Sequence, residues 1–184
     1  MRREEYAIVL DFLPAGHAGD RRSEPIAQAI GEQFFSLLEL SIKPETPVKL
    51  GERVYIGPEK RDKVKYIKRK IYQKDLTNVA FSSLPEILRN MIMKHEKRFV
   101  NFFNHAGMIT PRMHQFELLP GIGKKHVENI LQARREKPFE SFEDIKNRVK
   151  LMPEPLKVIE KRIMEEMQGN QKYYLFVAGH QKQF

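Results

Sequence analysis

The stretch LLPGIGKK, residues 118–125, is the most informative part of this 184-residue chain. Pro120 cannot continue a helix, and Gly121 and Gly123 allow backbone conformations and close approaches that a side chain would block. Ile122 is the apolar residue that anchors the loop between them. We therefore predict that a helix ends here, that a tight turn follows, and that a new helix begins directly after the second glycine.

The start of this new helix is predicted to bind a phosphate. Backbone N–H groups at a helix N-terminus have no partner within the helix, and the helix dipole favours an anion there. Two lysines add positive charge at the same place. The alternative is a glycine-rich turn that only joins two structural helices. The predicted contact residues are Gly121, Ile122, Gly123, Lys124 and Lys125.

The flanking sequence supports this interpretation. Thr110-Pro111 is typical of a helix start, and the apolar residues Val127 and Ile130 recur downstream at helical spacing. With the glycine turn between them, residues 111–135 resemble a helix-hairpin-helix, which implies a module that holds nucleic-acid backbone without reading sequence. Val127 stands where that family usually has alanine.

A second stretch, residues 151–156, occupies the place of a second hairpin but contains no glycine. Glu154 at its following helix would repel a phosphate. We therefore predict that this second hairpin is degenerate and is kept for packing.

The composition favours an anionic partner, because the formal net charge is +9 and the isoelectric point is about 9.7. Residues 60–74 alone contain eight basic side chains and one acidic one. There is no cysteine, which excludes disulfides and cysteine-based metal sites and fits a reducing cytoplasm. No apolar run approaches the length of a membrane span, so we expect a cytoplasmic protein with no membrane partner.

The N-terminal part predicts four short strands, which suggest a small barrel. They are expected at Tyr6–Leu13, Phe34–Ile42, Val48–Ile56 and Lys63–Tyr72. The last segment could also be helical, but its β-branched and tyrosine content favours a strand.

Strand alternation over residues 63–72 would place Tyr66, Lys68 and Lys70 on one face. Arg53 and Tyr55 point away from the core on the preceding strand. Cations that follow phosphates, with rings that stack on bases, are what a single-stranded nucleic acid requires. The alternative, equally supported, is that the tyrosines pack in the core and the lysines solvate an edge strand.

The rest of the chain predicts helices and one final strand. A capping box at Ser83 starts a helical region, Ser141 caps a short helix, and Tyr173–Val177 is a strand that returns to the N-terminal sheet. The fold class is α+β with two domains. The predicted division is a barrel domain at residues 1–77, an all-helical domain at 78–168 with the hairpin at 111–135, and a tail at 169–184.

The sequence does not predict an enzyme. Base-excision glycosylases carry a similar hairpin, and Lys125 matches their lysine position, but the rest of their motif is missing. The six histidines lack metal-ligand spacing, and no carboxylates cluster to hold magnesium. We therefore predict no catalytic residue, no metal and no cofactor.

Taken in order, the N-terminal pattern, Leu76-Thr77, the helical region and the LPGIGKK turn resemble an uncharacterised archaeal family. That resemblance implies an OB-like barrel joined to a helix-hairpin-helix domain, and it implies RNA as the preferred partner, with DNA possible. Two other functions remain open: an accessory protein of DNA repair or replication that binds duplex, and an adaptor that binds another protein.

Overall fold

The computed structural model describes residues 3–178. Within that range the chain forms two compact units. The first unit comprises residues 3–87 and 166–178, and the second comprises residues 88–165. The α+β class agrees with the prediction.

The first unit contains a curled, five-stranded antiparallel sheet that forms half of a barrel. The order of its strands is β4-β1-β2-β3-β5, so β4 and β5 are its edges. The strands are β1 (Tyr6–Leu13), β2 (Ile26–Gly31), β3 (Leu37–Ile42), β4 (Arg53–Tyr55) and β5 (Val64–Lys70).

One face of the sheet covers an apolar core, to which alternate residues such as Leu38, Leu40 and Ile42 contribute. The opposite face of the central strands is buried too. Gln28, for example, is fully buried and bonds to the backbone of Asp75 and Thr77. The polar side chains on this face therefore find partners within the unit, as buried polar groups must.

Two strand predictions are wrong. The sequence predicts no strand at Ile26–Gly31, where β2 lies, because both faces of β2 are buried and its small and polar residues show no alternation. The expected strand Val48–Ile56 reduces to Arg53–Tyr55, since Gly51 adopts φ +82° in a turn that precedes it. The expected strands at the first and last positions are confirmed as β1 and β5.

Within residues 3–178, five α-helices follow the sheet. They are α1 (Asn78–Lys94), α2 (Glu96–His105), α3 (Lys124–Glu136), α4 (Phe142–Arg148) and α5 (Pro155–Gln168). Helix α1 starts before the predicted box at Ser83, because Thr77 already caps it: the Thr77 hydroxyl accepts from Ala80 N at 3.1 Å. The predicted Ser141 cap of α4 is confirmed by a 3.0 Å bond from Asp144 N.

The predicted helix at Thr110-Pro111 is wrong. A two-stranded ribbon stands there, β6 (Met108–Thr110) and β7 (Met113–His114), followed by a 3-10 helix at Gln115–Leu118. The His114 ring accepts from Phe116 N at 3.1 Å, and burial lowers the pKa of His114, which favours this neutral acceptor. The second unit is therefore not all-helical.

The predicted strand Tyr173–Val177 is also wrong, because the described tail contains no strand. Its backbone amides bond instead to the buried carboxylate of Glu166. The donors are Leu175 N at 2.7 Å and the N–H groups of Phe176 and Val177, both at 2.9 Å. One backbone bond, from Ala178 N to Phe34 O at 3.1 Å, ties the tail to the loop that joins β2 and β3.

Candidate nucleic-acid interface

Residues 119–123, here called the first turn, directly precede helix α3. Ile122 N donates to Leu119 O at 3.1 Å, and the Ile122 side chain is buried, as predicted. Gly121 adopts φ +77°, a region that favours glycine. Gly123 then caps α3 in extended backbone, and its carbonyl accepts from Val127 N at 3.1 Å.

The two glycines of the first turn differ in backbone conformation. Gly121 is required by its left-handed backbone. Gly123 has φ −100° and ψ −179°, which any residue adopts, and a Cβ built there would meet only the His126 ring, at 4.0 Å. The open space around Gly123 is therefore accessible to a ligand that approaches the start of α3.

The start of α3 is exposed and positively charged. Lys124 and Lys125 are exposed, and the first turn of the helix contains no acidic residue. Lys125 Nζ lies 3.3 Å from the carboxylate of Glu128, an exposed pair that stabilises little. Within residues 3–178, the backbone amides of Lys124 and Lys125 have no acceptor, as expected at a helix N-terminus. These two amides are the donors that an anion would find.

The sequence offered no signal for a further residue of this site, His126. Its Nδ1 accepts from Gly123 N at 3.2 Å, so Nε2 carries the proton and donates to Leu151 O, also at 3.2 Å. Asn129 makes a parallel bond to Lys150 O at 3.3 Å. Both contacts span more than twenty residues of sequence, and they join the first turn to a second one.

This second turn, residues 149–153, repeats the geometry of the first. Met152 N donates to Val149 O at 3.3 Å, and Leu151 takes the left-handed place with φ +60°. The chemistry differs, because exposed Glu154 caps the following helix and forms an ion pair with Lys146. The hydrogen bond from Lys146 lowers the pKa of Glu154, which keeps that carboxyl ionised.

On the sheet, the structure places Arg53 and Tyr55 on edge strand β4, around Tyr6. The Arg53 guanidinium lies 3.4 Å from the Tyr6 ring centroid and bonds to Glu32 at 2.8 Å. Tyr55 packs edge-on against the same ring at 5.2 Å, and its hydroxyl accepts from Glu59 N. Both side chains already have partners on this surface.

The predicted face of Tyr66, Lys68 and Lys70 does not form. Two bulges break the pairing of β5 with β3, so Tyr66 lies opposite Ser41 and Lys70 lies opposite Leu38, on the other face of the sheet. Tyr66 and Lys70 therefore face opposite ways although they share a parity in the sequence.

Acidic residues neutralise part of the basic strand. The Tyr66 hydroxyl bonds to Glu24 at 2.9 Å, and Lys68 lies 4.0 Å from both Asp20 and Glu24. The hydrogen bond from Ser41, helped by Tyr66, lowers the pKa of Glu24 and keeps it ionised. The charge excess of residues 60–74 is thus smaller in the folded unit than in the sequence.

Comparison with known proteins identifies the family. A model for a protein family of unknown function, DUF655, matches residues 3–178. The chain belongs to the DUF655 family. The expectation of an uncharacterised family with archaeal members is confirmed to this extent.

Within the described residues, no helix is both long and apolar enough to cross a membrane.

Relatives extend this result. The uncharacterized protein MJ0038 of Methanocaldococcus jannaschii is 45% identical over 176 residues, which cover 95% of this chain and 80% of that protein. The crystal structure of Af1531 from Archaeoglobus fulgidus, another DUF655 protein, is 48% identical. It has a TM-score of 0.86 and covers 95% of this chain and 100% of that one. A stretch of 81 residues is 35% identical to a PolC-type DNA polymerase III of Mycoplasma pneumoniae, covering 42% of this chain and 5% of the polymerase.

Proposed function

We propose that this DUF655 protein binds the phosphate backbone of nucleic acid, RNA in preference, without catalysing a reaction on it. The observation that carries the proposal is the first turn. It presents two backbone amides without an acceptor among the described residues, at the N-terminus of the 13-residue helix α3, beside two exposed lysines. Amides and cations that converge on one exposed point suit a phosphate.

In this proposal residues 115–136 act as a helix-hairpin-helix in which the 3-10 helix Gln115–Leu118 takes the place of the first helix. In this proposal the second turn packs beside the first and binds no phosphate. It repeats the backbone geometry but carries Glu154 where a phosphate would lie, so its role is to pack. The bonds of His126 and Asn129 hold the two turns side by side.

The sheet unit contributes a second basic surface. Its strand order supports an OB-like barrel that is open between β4 and β5. Several of its cations are paired with acids, and a ligand must break those pairs before it can use them. We therefore propose that the first turn provides most of the affinity and that β5 adds a weaker contact.

Duplex DNA is the second candidate ligand. The 81-residue similarity to a DNA polymerase favours it, since such an enzyme acts on DNA. A hairpin that contacts only phosphates does not distinguish RNA from DNA, because that distinction rests on the 2′-hydroxyl.

The test is a binding titration with labelled single-stranded and duplex RNA and DNA of one sequence. The double variant Lys124→Ala/Lys125→Ala should bind about 5- to 30-fold more weakly, since two screened ion pairs contribute about 1–2 kcal/mol together. The matched control is Lys94→Ala/Lys97→Ala, which removes the same charge from exposed positions of the same unit. If the control weakens binding equally, the first turn is not the site.

A further inference from the structure

A cavity of about 440 Å³ lies in the first unit, at the gap that the half-barrel leaves open. Leu38 of β3 and Ile67 of β5 form one wall, and Ile56, directly after β4, forms the other. Its volume is within the range of about 300–1,000 Å³ that is usual for small-molecule sites. The interior is apolar, so a flat, uncharged part of a ligand would lose little by entering it.

Three cations line the cavity: Arg3, Arg61 and Lys70. Arg61 Nε donates to Gly57 O at 2.8 Å, which fixes that guanidinium beside the wall after β4. Lys70 Nζ makes a long bond of 3.3 Å to Ala178 O, and although the residue is exposed overall, partial burial lowers its pKa. An anion at the rim of the cavity would therefore lie near three positive charges.

The acidic residue of the cavity, Glu4, offsets only part of this positive charge, and it raises the pKa of Lys70 against the larger effect of burial. Its carboxylate is buried and accepts the backbone N–H groups of Gln33 and Phe34, both at 2.9 Å, and of Ser36 at 3.1 Å. Gly31 makes room for it, because a Cβ there would lie 2.1 Å from Glu4. Glu4 is thus built into the wall, and the cavity keeps positive charge.

The wall can also form directional hydrogen bonds. Among residues 3–178, strand β5 pairs on one side only, with β3, so alternate N–H and C=O groups of its outer side could bond to a ligand. A hydrocarbon chain would leave these groups unsatisfied, whereas the edge of a nucleobase can pair with them.

We propose that this cavity binds one nucleotide unit, with its base between Ile56 and Ile67 and its phosphate against Arg3, Arg61 and Lys70. The unit is either a free mononucleotide or one residue of a bound strand. Only the second source rests on the proposed function. The site would give the first unit a specific contact that its paired surface cations do not provide.

Calorimetry or chemical-shift titration of the full chain with AMP, GMP, CMP and UMP tests the proposal. At least one should bind with a dissociation constant below about 1 mM. The corresponding nucleoside, ribose 5-phosphate and inorganic phosphate should each bind at least about tenfold more weakly, since each lacks one half of the contacts. The proposal is wrong if none of the four mononucleotides binds measurably. It is also wrong if decanoate, a hydrocarbon chain with a carboxylate, binds as tightly as any of them.

Variants locate the site. Arg61→Ala and Lys70→Met should each weaken the mononucleotide at least about fivefold, whereas Lys65→Met, on the same strand but outside the cavity, should leave it unchanged. Equal losses in all three would mean diffuse attraction and refute the site. A chain that ends at Ala178 should bind as the full chain does, and a large gain would mean that its own C-terminal residues are the occupant instead.

Two further binding measurements distinguish a failure of this inference from a failure of the proposed function. In the Lys124→Ala/Lys125→Ala background, Arg61→Ala should still weaken mononucleotide binding at least about fivefold, even where that background weakens oligonucleotides. A tetranucleotide that competes with the mononucleotide identifies a strand residue as the source, and one that does not compete identifies the free nucleotide.

Discussion

The first turn offers a matched pair of substitutions, Gly121→Val and Gly123→Val, that separates fold from binding. At Gly121 the backbone has φ +77°, so a β-branched residue there costs about 1–3 kcal/mol of folding free energy. At Gly123 the backbone is extended, and a Cβ meets nothing closer than 4.0 Å. The cost there is the weaker helix-capping preference of valine, about 0.5 kcal/mol.

For binding we expect the opposite order: Gly123→Val should weaken nucleic-acid binding more than Gly121→Val does. The valine at residue 123 would cover the approach to the amides of Lys124 and Lys125. Hydrogen bonds between an amide and a charged group contribute about 1.5–3 kcal/mol each. Losing the equivalent of one predicts about tenfold to hundredfold weaker binding, alike for all nucleic-acid sequences, because backbone contacts do not specify bases.

Two measurements check this: fluorescence polarisation with labelled oligonucleotides, and urea denaturation for stability. Gly123→Val should be nearly as stable as the wild type but bind weakly, and Gly121→Val should be clearly less stable. The reasoning is refuted if Gly123→Val binds like the wild type while neutralising the lysines of residues 60–74 abolishes binding. The first turn would then be structural, and the sheet would be the binding site.

Three further predictions follow from charge. The logarithm of affinity should fall with the logarithm of salt concentration by about 0.9 per neutralised phosphate on duplex DNA and about 0.7 on single strands, and a titration indifferent to salt would favour a protein-binding adaptor. Burial raises the pKa of Glu39, but hydrogen bonds from His17 and Arg69 outweigh it and leave the pKa below 4.5. The ionised carboxylate therefore stabilises the fold fully above pH 4.5 and loses this effect as the pH falls through the lowered value, so urea denaturation should show Glu39→Gln destabilising at neutral pH and less so in acid. Glu166→Ala should release the tail, because three backbone amides lose a charged acceptor, and trypsin should then cut faster after Lys172; an unchanged cleavage rate would contradict this.

The elements that the sequence predicted well are those whose signals are local. The cap at Ser141 and the glycine turn depend on residues within four positions of each other, and both could be read directly. Strand β1 and strand β5 were found from short apolar or β-rich runs. Caps and turns of this kind depend on neighbouring residues, so they do not require knowledge of distant contacts.

The elements that were missed depend on distant partners. The predicted parity of β5 is wrong because its bulges are set by pairing with β3, whose residues lie 22 to 32 positions earlier in the chain. The tail looked like a strand because its apolar residues have high β-propensity. Its amides satisfy Glu166 instead, and a buried carboxylate that needs donors competes effectively with a sheet edge. The role of His126 was invisible for the same reason, since its acceptor lies in the second turn.

The two turns have similar backbone geometry but different side-chain chemistry. Both place a residue in left-handed backbone, and both continue into a helix. The first uses glycines and two exposed lysines, whereas the second holds an exposed leucine and an acidic cap, which would repel an anion from the helix start. The side chains of His126 and Asn129 nevertheless bond to the backbone of Leu151 and Lys150 and connect the two turns. Under the proposed function, the first turn would bind the phosphate and the second turn would support it.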